Sequence, residues 1–192
     1  MKILFLVVLV AAVNTGLFAA DLPVRIMASS KLIIIEKDQW KAPSIEITIS
    51  EANGNVLVHE NIKKSTRYNL KHVPDGNYIL EIEDNQKVKI QQLAIQQGSL
   101  LSEGVSTIYK PVIRTQDGKL DLNLMAQGQD AVITIRNSDN RATFTEHIKN
   151  EVSVTRRFNL EELEPGEYYI DVAISGKTFT RLISKSSNAI LL

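Results

Sequence analysis

The sequence predicts an all-β protein built from two tandem antiparallel β-sandwich domains. One observation is an internal repeat. Pro23-Val24 and Lys31-Leu32 return as Pro111-Val112 and Lys119-Leu120, Ile47-Thr48-Ile49 as Ile133-Thr134-Ile135, and Asn69-Leu70, Gly76, Tyr78 and Lys87 as Asn159-Leu160, Gly166, Tyr168 and Lys177. A unit duplicated over nearly the whole chain, each copy with its own periodic core, is a domain. The second observation is a period of two: Ile45, Ile47 and Ile49 alternate with Glu46 and Thr48, and Tyr78, Leu80 and Ile82 with Glu81 and Glu83. One apolar and one wet face marks an antiparallel sheet packed on one side. The third is turn chemistry, with Asn53-Gly54 between two alternating runs as a hairpin signal.

The elements follow in order. Residues 1–20 read as a secretory signal peptide, with Lys2, the apolar run Ile3–Val13 and a small-residue exit at Ala19-Ala20. The run falls well short of the roughly 20 residues of a spanning helix, so no membrane span is expected after cleavage. Unit one, residues 21–104, is expected to place strands near 23–28, 31–36, 44–50, 55–61, 66–70, 77–83 and 86–95, with an extra one at 99–102. Unit two, residues 105–192, repeats them near 111–115, 119–125, 130–136, 141–147, 154–160, 167–174 and 177–184, and ends at Ile190-Leu191. Many short strands with turns between them imply two sheets face to face. Ser102–Gly104 reads as the only flexible stretch between the units, giving a stiff end-to-end pair. Lys31–Lys37 is the stickiest segment; against its cleanly alternating copy Leu120–Leu124 it reads as a strand with more burial, either against a partner or within its own domain.

One local pattern is doubled. Leu70-x-x-Val73-Pro74-x-Gly76-x-Tyr78 and Leu160-x-x-Leu163-x-Pro165-Gly166-x-Tyr168 each put a Tyr at a strand start after a corner. In immunoglobulin-like sandwiches such a Tyr caps the corner by bonding nearby backbone, while the glycine serves the turn. Tyr78, Tyr168, Gly76 and Gly166 are therefore read as structural.

Composition narrows the function. The chain has no cysteine, which removes disulfides and thiol chemistry. An exported chain without cysteine fits a bacterial envelope, in the periplasm, on the surface or secreted. Without Lys2, 21 basic residues face 22 acidic ones, which is no nucleic-acid binder's balance. His59, His72 and His147 are isolated, no phosphate loop or nucleophile elbow is present, and Glu161, Glu162, Glu164 and Glu167 read as a solvated acidic rim. No catalytic residue, metal site or cofactor is expected. Trp40 is the one candidate binding residue: exposed, it suits a glycan or protein hot spot; otherwise it folds over the open end of its own sandwich.

Glu46–Ile62 with Asn-Gly-Asn-Val at its turn, Tyr68-Asn69-Leu70 and Gly76-x-Tyr78-x-Leu80-x-Ile82 together resemble the secreted immunoglobulin-like domains of unknown function common in Bacteroidetes-type envelopes, and Phe158-Asn159-Leu160 and Gly166-x-Tyr168 match them in unit two. The resemblance implies export and an immunoglobulin-like sandwich but no activity. Leu163-x-x-Gly166-x-Tyr168-x-Ile170 with Gly176-Lys177 is also similar to carboxy-terminal secretion sorting domains, although the same pattern stands mid-chain in unit one. The expected function is a non-enzymatic structural or binding module with a protein or glycan partner; the alternative is a sorting or assembly element for outer-membrane secretion.

Overall fold

The computed structural model describes residues 24–186 and 190–191. The signal-peptide reading of residues 1–20 lies outside the described residues. The strands of unit one are β1 (Val24–Met27), β2 (Leu32–Ile35), β3 (Ile45–Glu51), β4 (Val56–Ile62), β5 (Thr66–Asn69), β6 (Gly76–Glu83), β7 (Lys87–Gln96) and β8 (Ser99–Tyr109). Those of unit two are β9 (Val112–Gln116), β10 (Lys119–Met125), β11 (Ala131–Asn137), β12 (Ala142–Ile148), β13 (Ser153–Asn159), β14 (Gly166–Ile174), β15 (Lys177–Lys185) and β16 (Ile190–Leu191). Two short 3-10 turns, Ala28–Ser30 and Lys37–Gln39, complete the regular structure among the described residues.

Among the described residues all pairings are antiparallel. Unit one has a sheet β1-β2-β5 and a sheet β4-β3-β6-β7-β8; unit two repeats this as β9-β10-β13 and β12-β11-β14-β15-β16. The alternation read from sequence sets the faces. Ile33 and Ile35 of one sheet pack in a single cluster with Ile45, Ile47, Ile49, Leu80 and Ile82 of the other. Leu120, Leu122 and Leu124 do the same with Ile133, Ile170 and Val172. Each fully buried side chain of this size contributes about 1.5–3 kcal/mol against exposure, and the two clusters make each unit a sandwich with an apolar core. The fold is all-β and immunoglobulin-like. On β2, Ile33 and Ile35 are fully buried, while Leu32 and Ile34 are half-buried on the opposite face. The copy β10 carries the polar residues Asp121 and Asn123 on that outer face.

The linker departs from the sequence reading. Ser102–Gly104 is no flexible stretch; it lies inside β8, which pairs with β7 from Gln96↔Ser99 to Lys87↔Tyr109. The register shifts between Gln92 and Leu93, where β8 carries the extra residue Glu103. A bulge of this kind absorbs one residue and lets pairing resume. The long edge of β7 offers unpaired backbone groups, and continuing β8 along it satisfies them. The β7–β8 ribbon also serves both cores: Leu93, Ile95 and Leu100 belong to the first cluster, while Ile108 belongs to the second, with Ile90 packed against it. Glu83 with Lys110 at 2.5 Å, and Glu81 with Lys177 at 2.5 Å, add ion pairs between the units.

Candidate functional site

The doubled corners hold the sheet ends. The Tyr78 hydroxyl donates to the Pro74 carbonyl at 2.9 Å, and the Tyr168 hydroxyl to the Glu164 carbonyl at 3.0 Å. Both rings are buried in their cores. Gly76 and Gly166 open the strands that carry them, with φ of +159° and +157°. A third tyrosine, Tyr68, donates to Glu60 Oε1 at 2.6 Å. Burial, and then the Glu60 carboxylate, push its hydroxyl well above the ordinary tyrosine value.

Trp40 is not exposed. It follows the 3-10 turn Lys37–Gln39 and joins the first core with only 7% of its surface accessible. The exposed hot spot that one sequence reading required is absent, because the loop after β2 folds back over the end of the sandwich. Unit two has no such loop, and its core instead takes in Ile108 from the ribbon. The burial creates an unusual polar surrounding. Lys37 is 5% exposed, and its ammonium donates to the Ala42 carbonyl at 2.6 Å and the Trp40 carbonyl at 3.4 Å. The ammonium groups of Lys87 and Lys89 lie 5.8 and 5.7 Å from the centre of the Trp40 ring, within cation–π range. The Trp40 indole N–H is buried without a hydrogen-bond partner.

Sequence reasoning missed these lysines, although a signal was present. Successive strand residues face opposite sides, so Lys87, Lys89 and Gln91 share the face of β7 that Leu93 and Ile95 turn to the core. Lys89 and Gln91 are buried there. Polar residues in register with core residues, next to a lone Trp, are the pattern to look for.

The other polar candidates stay apart. Glu161, Glu162, Glu164 and Glu167 are exposed. Among the described residues no group of three or more His, Asp or Glu is placed to hold a metal ion. His59 is exposed beside Thr48 Oγ1 at 3.1 Å. Arg156 bridges Glu146 and Glu151, at 2.8 and 3.0 Å, and Arg157 forks onto Asp121; each of these tightens a sheet edge. Exposed apolar residues are spread along edges and loops, among them Val56 on β4, Val105 on β8, and Phe144, whose ring meets Phe158 edge-on at 5.1 Å.

Comparison with known proteins gives one family match. Residues 28–96 match the model of the secretion system C-terminal sorting domain. The matched stretch is the first sandwich, from the turn after β1 to the end of β7, and not the end of the chain, where the sequence resemblance was drawn. No curated protein matches the sequence. Among solved structures the chain is similar to the BSP domain of a biofilm associated protein (15% identity, TM-score 0.30), covering 81% of this chain and 27% of that one. It is also similar to the chicken interferon gamma receptor alpha chain (7%, TM-score 0.30; 85% and 98% covered) and to the FN1–FN3 domains of chicken CNTN1 (11%, TM-score 0.28; 84% and 66% covered). At these TM-scores the likenesses have no bearing on partners or activity. The chain is an exported protein, secreted or at the cell surface, with an immunoglobulin-like β-sandwich fold and similarity to secretion sorting domains. No helix among the described residues is long and apolar enough to cross a membrane.

Proposed function

We propose that this protein is a non-enzymatic exported module whose first sandwich docks on a protein of the secretion or envelope machinery. The observation that carries this reading is the coincidence of the sorting-domain match, residues 28–96, with the sandwich assembled from β2 to β7. A sorting element has to be recognised as a folded surface, and this sandwich offers one. The edge strand β4 presents Val56 and Leu57 to solvent on successive positions, so both faces of that edge are accessible. An edge with free backbone groups and apolar side chains supports recognition by strand addition. The polar groups of the first sandwich support its structure: the Tyr78 hydroxyl closes a corner, and Lys37 ties the Trp40 loop to the end of the core.

The test is export of a passenger. A reporter fused ahead of the full mature chain is expected outside the cell or on its surface in the native host. A chain carrying Val56→Lys and Leu57→Lys is expected to leave the reporter behind the outer membrane, at unchanged thermal stability. A reporter retained in the periplasm by the wild-type fusion contradicts the reading.

A further inference from the structure

Unit two leaves open an edge that unit one fills. In the repeat β15 is the counterpart of β7: Phe179 pairs with Val172 as Lys89 pairs with Ile82. Beside β7 lies β8, which pairs with it from Gln96↔Ser99 to Lys87↔Tyr109. Beside β15 lies only β16, which pairs with Ser184 and Lys185. Among the described residues no strand pairs with the outer edge of β15 from Lys177 to Ile183. The difference shows in exposure. Val88, Lys89 and Gln91 of β7 are buried, whereas their counterparts Thr178 and Arg181 are exposed and Phe179 is half-buried.

Backbone direction makes this edge a template. In unit one the Asp84 N–H donates to the Lys87 carbonyl at 3.0 Å. Residues of an antiparallel ladder alternate in the side to which they bond, so Val88, Ile90 and Gln92 turn their N–H and C=O groups to β8. Thr178, Thr180 and Leu182 hold those positions on β15 and turn theirs to the open side. That side is walled. A cleft of about 590 Å³ lies between Thr178–Arg181 and Lys110–Ile113, with Asn85 of unit one also lining it. Two cations line the cleft, Lys110 and Arg181, and among the described residues no carboxylate does. Lys110 is paired with Glu83 at 2.5 Å, whereas among the described residues Arg181 has no such partner. Walls on both sides favour a single extended strand over the edge of a second sandwich.

We propose that the β15 edge and the cleft beside it bind an extended peptide segment of a partner protein, added to the sheet of unit two as β8 is added to that of unit one. Main-chain hydrogen bonds to Thr178, Thr180 and Leu182 hold the segment, and its alternate side chains select it. In antiparallel register an apolar residue opposite Phe179 covers the ring, and an acidic residue two positions earlier lies opposite Arg181. The ligand class is therefore a strand of the pattern acidic-x-apolar. This surface belongs to unit two and does not depend on the β4 edge of unit one. The probe is a labelled synthetic peptide with the β8 sequence, Ser99–Tyr109, carrying Val105→Glu and Thr107→Leu, the positions that face Gln91 and Lys89 in unit one. An anisotropy titration with the purified protein is expected to saturate, and the unaltered peptide to bind about tenfold more weakly. Thr180→Pro removes an outward N–H at a sheet edge, where proline is tolerated, and Arg181→Glu reverses the charge; each is expected to weaken binding by about tenfold. Bound peptide is expected to slow hydrogen exchange at the Thr178, Thr180 and Leu182 amides. No saturable binding, an affinity unchanged in both variants, or protection that falls on β4 instead overturns the proposal. A protein that dimerises through this edge, with the dimer lost in Thr180→Pro, also overturns it and makes a second copy the occupant.

Discussion

Tyr78 and Tyr168 are bound to the same backbone position, four residues upstream, in the two units. Removing one hydroxyl leaves a carbonyl without its donor, so Tyr78→Phe is expected to lower stability by about 1 kcal/mol, read as a shift in the urea midpoint at unchanged slope. Tyr68 gives a test with a sign. Its hydroxyl is pushed above the ordinary value of 10.0 by burial and by Glu60, and Tyr78 is raised as well, by burial and then by Glu51 and Asp75. Above pH 10 the unfolded chain releases protons that the folded chain retains. The stability these groups contribute is therefore complete below pH 10 and declines as pH rises beyond it. Tyr68→Phe is expected to flatten this alkaline decline in thermal melts between pH 9 and 11; an unchanged slope would show that Tyr68 plays no part in it. At this scale the sequence was readable where a residue's role is local. The tyrosine corners could be read because the Pro, Gly and Tyr lie within a few residues of one another. The Trp40 cluster left only a partial signal, the lysines of β7 in register with its core residues, because Lys37, Trp40 and Lys89 meet only once the loop after β2 has closed against β7.

At the scale of elements, strand order and faces were legible because a period of two leaves little choice. Ile45, Ile47 and Ile49 are core, and Ile133 and Ile135 repeat them. The linker was misread for a physical reason. Ser102, Glu103 and Gly104 have low strand preference, yet the neighbouring edge of β7 supplies the pairing that local preference lacks, and a bulge accommodates the misfit. This makes β8 an element with two anchors, Leu100 in the first core and Ile108 in the second. Ile108→Ala is expected to cost about 2–4 kcal/mol, with amide protection lost first in β10, β11 and β14. Leu101→Ala, on the exposed side of the same strand, is expected to change stability by less than about 0.5 kcal/mol. Equal losses for the two variants would contradict the two-anchor role of β8.

At the scale of the molecule, two similar sandwiches share one ribbon and are joined by ion pairs from β6 to unit two. They differ where a function belonging to one copy would show. The sorting-domain match and the Trp40 loop both fall on unit one, while unit two keeps the fold with a plainer loop. The duplication made the architecture legible; the difference between the copies is what points beyond it, and it emerges only when both are folded and compared. The most direct test of the docking reading is crosslinking of the tagged full chain in its native envelope, followed by purification and mass spectrometry of the crosslinked peptides. The expected result is a reproducible protein partner joined through lysines of unit one, with Lys63 and Lys64 beside the end of β4 foremost. Recovery of the chain without any protein partner, or crosslinks confined to unit two, would contradict it.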